Sequence, residues 1–301
     1  MLAFQPIEAD NVCQLAKYFA CQKFRTGDYT VVGTFMWRKF FFSEFAVDSD
    51  MLFIKVKYFN GVTAFTFPVG FGNTEEALEH LENYARQNKI ALKFCNVPEE
   101  ALAILQKRYG DALSYADRRE WFDYLYHADD MRTFAGRKFS GQRNHINKFQ
   151  KLYPDFRFVP INEENLGRVI EFFDQYGPEH VKDNPIAMEE TLRTNEILKL
   201  FHQFQLLGGF LEVDGQIVAF SVGEIVGDTL FIHIEKALKE YEGSYQMIVR
   251  QFAQYAVTEN VQYINREDDA GDLGLRKSKL SYHPVALLEK YFAEVADSAE
   301  D

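Results

Sequence analysis

The sequence predicts an α/β (α+β) chain built from two related units in tandem, and three observations carry that expectation. Residues 229–265 read as strand, turn, helix and strand. The two halves share a collinear set of weak matches. With 301 residues and a 47% hydrophobic composition, the chain is long enough for two cores. In the first of these, a strand over 230–235 leads through a turn, Lys239 to Ser244, into an apolar-faced helix over 245–257 and a strand over 261–265. A crossover of that length makes a parallel pair. Its turn offers unpaired backbone N–H groups and the positive end of a helix dipole, which suits a phosphate or pyrophosphate.

The repeat places the other elements in order. Phe4, Pro6, Ile7, Asn11, Val12 and Leu15 match Phe158, Pro160, Ile161, Asn165, Leu166 and Val169. Asn60-Gly61 ahead of Ala64-Phe65 matches Asp214-Gly215 ahead of Ala219-Phe220. Tyr84-Ala85 with a strand over 90–94 matches Tyr255-Ala256 with the strand over 261–265. Each copy then reads as an early helix (8–21 and 163–176), a hairpin at the Asn-Gly or Asp-Gly turn, a helix (74–88 and 245–257) and a closing strand. The second copy adds a helix over 185–205, with Asn184 as cap and Pro185 in its first position. It also adds the strand 230–235, for which the first copy shows no counterpart. The expected division is 1–130 and 131–295, with a tail at 296–301. The acidic end from Ala293 onward is expected to fray.

Composition narrows the function classes. A net charge of −12 argues against a nucleic-acid-coating protein, and no helix-turn-helix or zinc-finger spacing supports a duplex-DNA reader. Cys13, Cys21 and Cys95 form no C-x-x-C pair, as suits a reducing cytoplasm. The first ten residues carry acids and no apolar core, so a secretory leader is not expected. Arg38 and Lys39 interrupt the richest apolar run, so no transmembrane segment is expected either. Serine-hydrolase, zincin and P-loop motifs are lacking.

Chemistry-bearing residues gather in the second half. Between Met131 and Pro154 lie Arg132, Arg137, Lys138, Arg143, Lys148 and Lys151 with His145 and no acid, a segment that reads either as a solvated helix face or as anion contacts. In Leu230-Phe-Ile-His-Ile-Glu235, strict alternation puts Phe231, His233 and Glu235 on one face. His233 and Glu235 are then candidate base and orienting groups, or hydrogen-bonded groups of a partly open sheet. Lys236 begins the turn. Gly243 and Ser244 are its phosphate-facing candidates or simply a helix entry, and Glu240 and Glu242 oppose an anion there. After the last strand, Asp268, Asp269 and Asp272 lack calcium-loop spacing, so no metal is expected. Arg276, Lys277, Lys279 and Tyr282 are ligand candidates at a strand's C-terminal end.

Several of these runs carry a resemblance: Gly136 to Phe149, Ile232 to Ala237, Tyr241 to Gln246, Asn265-Arg-Glu-Asp268 and Leu275-Arg-Lys-Ser-Lys279. Over most of its length the chain resembles bacterial proteins grouped with the C-terminal domain of phosphatidylglycerol lysyltransferase. The resemblance implies tandem GNAT-like acyltransferase domains, each a mixed, mostly antiparallel sheet flanked by helices. That fold also serves aminoacyl-tRNA-dependent ligases of the peptidoglycan-bridge type. It further implies acyl or aminoacyl transfer from acyl-CoA or aminoacyl-tRNA to an amine or hydroxyl on a small molecule, peptide or lipid headgroup, with no tightly bound cofactor. Glu235 or His233 would be the base, and Tyr282 or Tyr245 would protonate the leaving group. Lys236, Gly243, Ser244, Arg137, Arg143, Asn144, Lys148, Asn265, Arg266, Asp268, Arg276 and Lys279 would contact the donor. The first copy would be a degenerate domain shaping the acceptor cleft. Of the acetyltransferase turn motif only Gly243 fits, since Glu240 and Tyr245 hold its outer positions, and the family's membrane-embedded half is absent. A competing expectation is a non-catalytic scaffold that binds a small anionic or peptide ligand.

Overall fold

The computed structural model describes residues 2–180 and 185–296. The chain divides into one unit of residues 1–123 with 288–301 and another of 124–287. The strand order of the first sheet is Gln5–Pro6, Glu44–Asp48, Met51–Lys57, Thr63–Phe65, Lys93–Pro98, Lys290–Val295 and Leu113–Asp117, with Val69–Gly70 paired to Met51–Lys57. In the second it is Arg157–Pro160, Leu207–Val213, Gln216–Val226, Thr229–Ala237, Tyr263–Asn265, Asp123–His127 and Ala286–Leu288. The two orders correspond position by position. Each sheet holds a parallel pair at the same place, Thr63–Phe65 with Lys93–Pro98 and Thr229–Ala237 with Tyr263–Asn265.

Local chemistry repeats as well. Asn11 Oδ1 accepts the Glu8 N–H at 2.9 Å while its Nδ2 donates to the Pro6 carbonyl at 3.0 Å. Asn165 makes the same clasp with Asn162 (2.8 Å) and Pro160 (2.9 Å). Two residues beyond the parallel pairing, Asn96 (φ +50°) and Glu267 (φ +56°) take the same left-handed conformation. The helix Thr74–Asn88 starts where Asn73 accepts from the Glu75 and Glu76 N–H groups and stops at left-handed Lys89.

The topology corrects the sequence-based pairing of hairpins. Asp214-Gly215 joins the strands equivalent to Glu44–Asp48 and Met51–Lys57, so its counterpart is Ser49-Asp50, both of which have positive φ. Asn60-Gly61 corresponds instead to Gly227-Asp228. All of these dipeptides satisfy a tight hairpin, so the match slipped by one strand. The strand 229–237 is therefore not an addition, because Thr63–Phe65 is its shorter equivalent. The first early helix is shorter than expected, Ala16–Cys21 after a 3-10 turn, whereas the second, Leu166–His180, keeps about the expected length but starts and ends later. The helix from Pro185 ends at Lys199, and the Asn184 cap lies outside the described residues.

In the second unit, helices Ala128–Thr133, Ser140–Leu152 and Ser244–Ala256 cover one sheet face. There Ile146, Phe149, Met247, Ile248 and Phe252 pack with Leu211, Leu230, Ile232 and Ile264. The other face receives helix Leu166–His180, whose Phe173 ring lies 6.0 Å from that of Phe220.

The acidic end does not fray at Ala293. Lys290–Val295 lies between Lys93–Pro98 and Leu113–Asp117, with Ala293 fully buried. That strand is tied in by Lys290, whose Nζ lies 2.9 Å from both Asp28 Oδ2 and Asp123 Oδ1. Asp123 also accepts the Gly27 N–H at 2.7 Å, and Asn96 donates to Asp28 at 2.6 Å. Replacing Lys290 with Met leaves two carboxylates without their cation, so urea unfolding should show a loss of about 3–5 kcal/mol.

Candidate functional site

The parallel strands of the second unit pair only through Thr229, Leu230 and Phe231 with Tyr263, Ile264 and Asn265. Beyond Asn265 the chain turns away. Asn265 Oδ1 accepts the Glu267 N–H at 2.6 Å, and the Arg266 N–H donates to the Tyr124 carbonyl at 3.1 Å. On the other side of strand 229–237 the ladder with Gln216–Val226 shifts register. Val222 faces Ile234 but Gly223 faces Ile232, so His233 is an extra, bulged residue. A bulge inverts the alternation on either side of it. His233 therefore joins Phe231 and Glu224 on the face toward helix Leu166–His180, while Glu235 joins Leu230 and Ile232 on the opposite face. The expectation that His233 and Glu235 share one face is corrected for this reason.

On Glu235's side, Arg266 forms an ion pair with Glu235, each side chain about one-tenth exposed. The guanidinium lies 4.7 Å from the Tyr282 ring centre and 5.9 Å from that of Tyr126. Burial works against the charge of Arg266, but the carboxylate of Glu235 outweighs it and raises the guanidinium pKa. Burial pushes the Tyr282 phenol up to about 12, with the Arg266 charge and the Gln246 side chain pulling the other way. It is thus a neutral proton donor at physiological pH. Ser221, fully buried, sits directly opposite Glu235 on the neighbouring strand. Ser221 Oγ and Arg266 Nη1 are two of the buried side-chain atoms that find no hydrogen-bond partner among the described residues. Two buried polar atoms beside an ion pair are the mark of a place for a polar ligand.

On the other side, His233 is clamped between two acids, with Nδ1 2.7 Å from Glu267 and Nε2 3.0 Å from Glu224. Desolvation lowers its pKa, yet the two carboxylates overcome this and lift it to about 9. An imidazolium held on both nitrogens has no lone pair to take a proton, which argues against His233 as the base.

Several predicted ligand groups hold the loop 265–272 in shape. Lys279, buried, donates to the Arg266 carbonyl at 2.6 Å and to those of Glu267 and Asp268. Arg276 grips Asp269 through two bonds of 2.8 and 2.9 Å, and Tyr124 adds a third at 2.6 Å. Although burial opposes it, these donors take Asp269 down to about 2. Asp268 accepts the Ala270 N–H, and Asp272 caps the helix Leu273–Leu280. Among the described residues, no group of three or more His, Cys, Asp or Glu is arranged to hold a metal ion.

The turn before helix Ser244–Ala256 is closed. Gly243 has φ +88°, and a Cβ there would stand 2.3 Å from the His145 carbonyl oxygen. The glycine is therefore required by helix Ser140–Leu152 rather than by a pyrophosphate. Ser244 Oγ donates to the Leu238 carbonyl at 3.0 Å. The basic segment is largely consumed by the protein itself. Lys148 pairs with Glu242 at 2.6 Å, and Arg143 donates to the Phe134 and Gly136 carbonyls. Lys236 pairs with Glu190 at 2.6 Å, and Tyr245 Oη lies 3.5 Å from Tyr176 Oη. Arg137 and Asn144 remain exposed.

The structure therefore gathers Glu235, Arg266 and Tyr282 from the predicted set and adds Ser221, Gln246 and Tyr126. Ser221 and Glu224 were readable only from the register of the hairpin. Glu267 stood inside the Asn-Arg-Glu-Asp run without a role. An open depression of this unit, against His127, Asp130, Thr258 and Gln262, lies elsewhere.

The His233 clamp has a pH signature. Its folded pKa of about 9 exceeds an unfolded value of about 6.5, so its stabilisation is complete below about 6.5 and is lost as pH rises through about 9. Stability measured from pH 6 to 10 should fall over that window in the native protein, and the fall should be absent in His233→Gln.

Comparison with known proteins agrees with this architecture. A conserved protein of unknown function from Bacteroides thetaiotaomicron is 31% identical, with 98% of this chain and 100% of that one covered and a TM-score of 0.90. FemX, at 9% identity, matches over 98% of this chain and 97% of its own with a TM-score of 0.65, a likeness of fold. An uncharacterised protein of Mycoplasmoides gallisepticum is 28% identical over 177 residues, 58% of this chain, and that match spans 56% of its own length. The two mixed sheets with their flanking helices share the fold of FemX, and no helix among the described residues is long and apolar enough to cross a membrane. Residues 22–294 match the model of the phosphatidylglycerol lysyltransferase C-terminal family, and the chain belongs to that family.

Proposed function

We propose that the second unit is an aminoacyltransferase that moves an aminoacyl group from aminoacyl-tRNA to an amine or hydroxyl acceptor. The observation that carries this reading is the buried Glu235–Arg266 pair beside the neutral Tyr282 phenol, placed where the parallel strands part. The acceptor's nucleophile attacks the ester carbonyl and loses its proton to the Glu235 carboxylate. Arg266 Nη1 and Ser221 Oγ, without partners inside the protein, are donors for the developing oxyanion. As the ester C–O bond breaks, Tyr282 gives its proton to the departing tRNA hydroxyl, and the proton on Glu235 restores the phenol. Acyl-CoA is the weaker donor candidate, because the His145 carbonyl fills the space in front of Gly243 and Glu242 stands in the turn.

The second reading is a binding protein without turnover. It is favoured by the way the Arg266 guanidinium lies against the Tyr282 ring, 4.7 Å from its centre.

Thermal denaturation separates the two. A true donor at about 100 times its Kd adds about 2.7 kcal/mol by linkage, so mixed aminoacyl-tRNA should raise the melting temperature and CoA thioesters should not. Glu235→Gln should reduce transfer by about 100-fold or more while donor affinity stays within a few-fold. Stabilisation by aminoacyl-tRNA with no transfer to any amine or hydroxyl acceptor would favour the binding protein, and stabilisation by neither donor would sink the transferase.

A further inference from the structure

The first unit presents an aromatic knob. The turn after helix Val31–Met36 carries Trp37, Lys39, Phe40, Phe41 and Phe42, and the neighbouring hairpin carries Lys57, Tyr58 and Phe59. Phe42 is 56% exposed and Phe59 72%, and their ring centres are 6.0 Å apart. Phe40 sits 5.0 Å from both Phe41 and Phe59, and Trp37 stands 6.0 Å from Phe40, so the rings form one contiguous surface. Ordinary soluble surfaces scatter such residues singly, and a contiguous patch marks a contact site.

The backbone beneath is held stiffly. Phe41 N–H donates to the Trp37 carbonyl, Lys57 N–H to the Phe41 carbonyl at 2.7 Å and Ser43 N–H to the Arg38 carbonyl at 2.7 Å. Phe42 itself has φ +46°, a costly conformation for an aromatic residue, and yet its side chain faces water. Strain that holds a large apolar ring outward gives nothing to the core. It does preorganise a ring for insertion into something else.

Charge identifies the occupant. Lys39 and Lys57 flank the rings, both exposed and, among the described residues, neither paired with a carboxylate, on a chain whose net charge is −12. Phenylalanines rimmed by lysines fit an anionic bilayer surface, where rings enter the acyl boundary and ammonium groups stay among headgroup phosphates. A second copy of the chain would bring the same lysines against each other. Single-stranded nucleic acid needs open ring faces for stacking, whereas these rings lock edge to face, Phe40 with Phe59 at 90° and Phe42 with Phe59 at 82°. We infer that this knob seats the protein on an anionic lipid surface, with Phe42 and Phe59 inserted and Lys39 and Lys57 on the headgroups.

The test is flotation with phosphatidylcholine vesicles, neutral or containing about one-third phosphatidylserine. Trp37 fluorescence is followed in parallel in a Trp121→Phe background. The native protein should float with the anionic vesicles and its Trp37 emission should shift to the blue. Phe42→Ser with Phe59→Ser should weaken binding at least about tenfold. Lys39→Gln with Lys57→Gln should weaken the preference for anionic vesicles by about fivefold per lysine. All four positions are at the surface, and an unchanged melting temperature shows that the variants fold. Equal flotation of the native and Phe42/Phe59 variants overturns the inference. So does a knob that answers instead to a single-stranded RNA oligonucleotide, or to self-association in sedimentation, without binding vesicles.

Discussion

The arrangement of the second unit depends on the missing side chain of Gly223. A Cβ there would stand 2.1 Å from the Phe231 carbonyl oxygen, closer than any real side chain approaches backbone. Only glycine lets Gln216–Val226 and Thr229–Ala237 come together at the register shift that bulges His233. From that shift follows the division of labour between the faces. One receives an imidazolium gripped by Glu224 and Glu267; the other receives Glu235, Arg266 and Tyr282. Without the extra residue, all three odd-numbered side chains from Phe231 to Glu235 would share one face, and the acid would have to compete with the histidine's carboxylates.

Much of the fold was legible because it rests on patterns one element long. The helix over 74–88, the apolar stripe of helix Ser244–Ala256 and the strand-helix-strand order around Gly243 are local, and the structure contains them. The repeat was legible because the same asparagine clasp recurs at Asn11 and Asn165. What escaped was set by partners distant in sequence. The register of two antiparallel strands decided which face Glu235 occupies. A strand from residue 290 onward decided the end of the first sheet. Tight turns look alike, so Asn60-Gly61 was paired with the wrong hairpin.

The charges show the same dependence on tertiary context. Lysines and arginines that read as ligand groups in a row of letters pair with the protein's own acids or donate to its carbonyls. Arg276 serves Asp269, Lys148 serves Glu242 and Lys279 gathers the carbonyls of residues 266–268. An acidic protein can spend nearly all its cations this way, because each buried carboxylate needs one. Arg266 keeps a donor uncommitted after meeting its acid.

The first sheet is closed by a strand synthesised after the whole second unit. Its neighbour Lys93–Pro98 emerges nearly two hundred residues before Lys290 arrives to fill the space beside Asp28 and Asp123. During synthesis the second unit has all its strands first, while the first unit waits with an open edge and without the Lys290 ammonium beside Asp28 and Asp123. Order of manufacture and order of completion are thus reversed. A nascent chain halted near its end would carry a finished half behind an unfinished one, and the unfinished half is the one that a chaperone or a protease would meet.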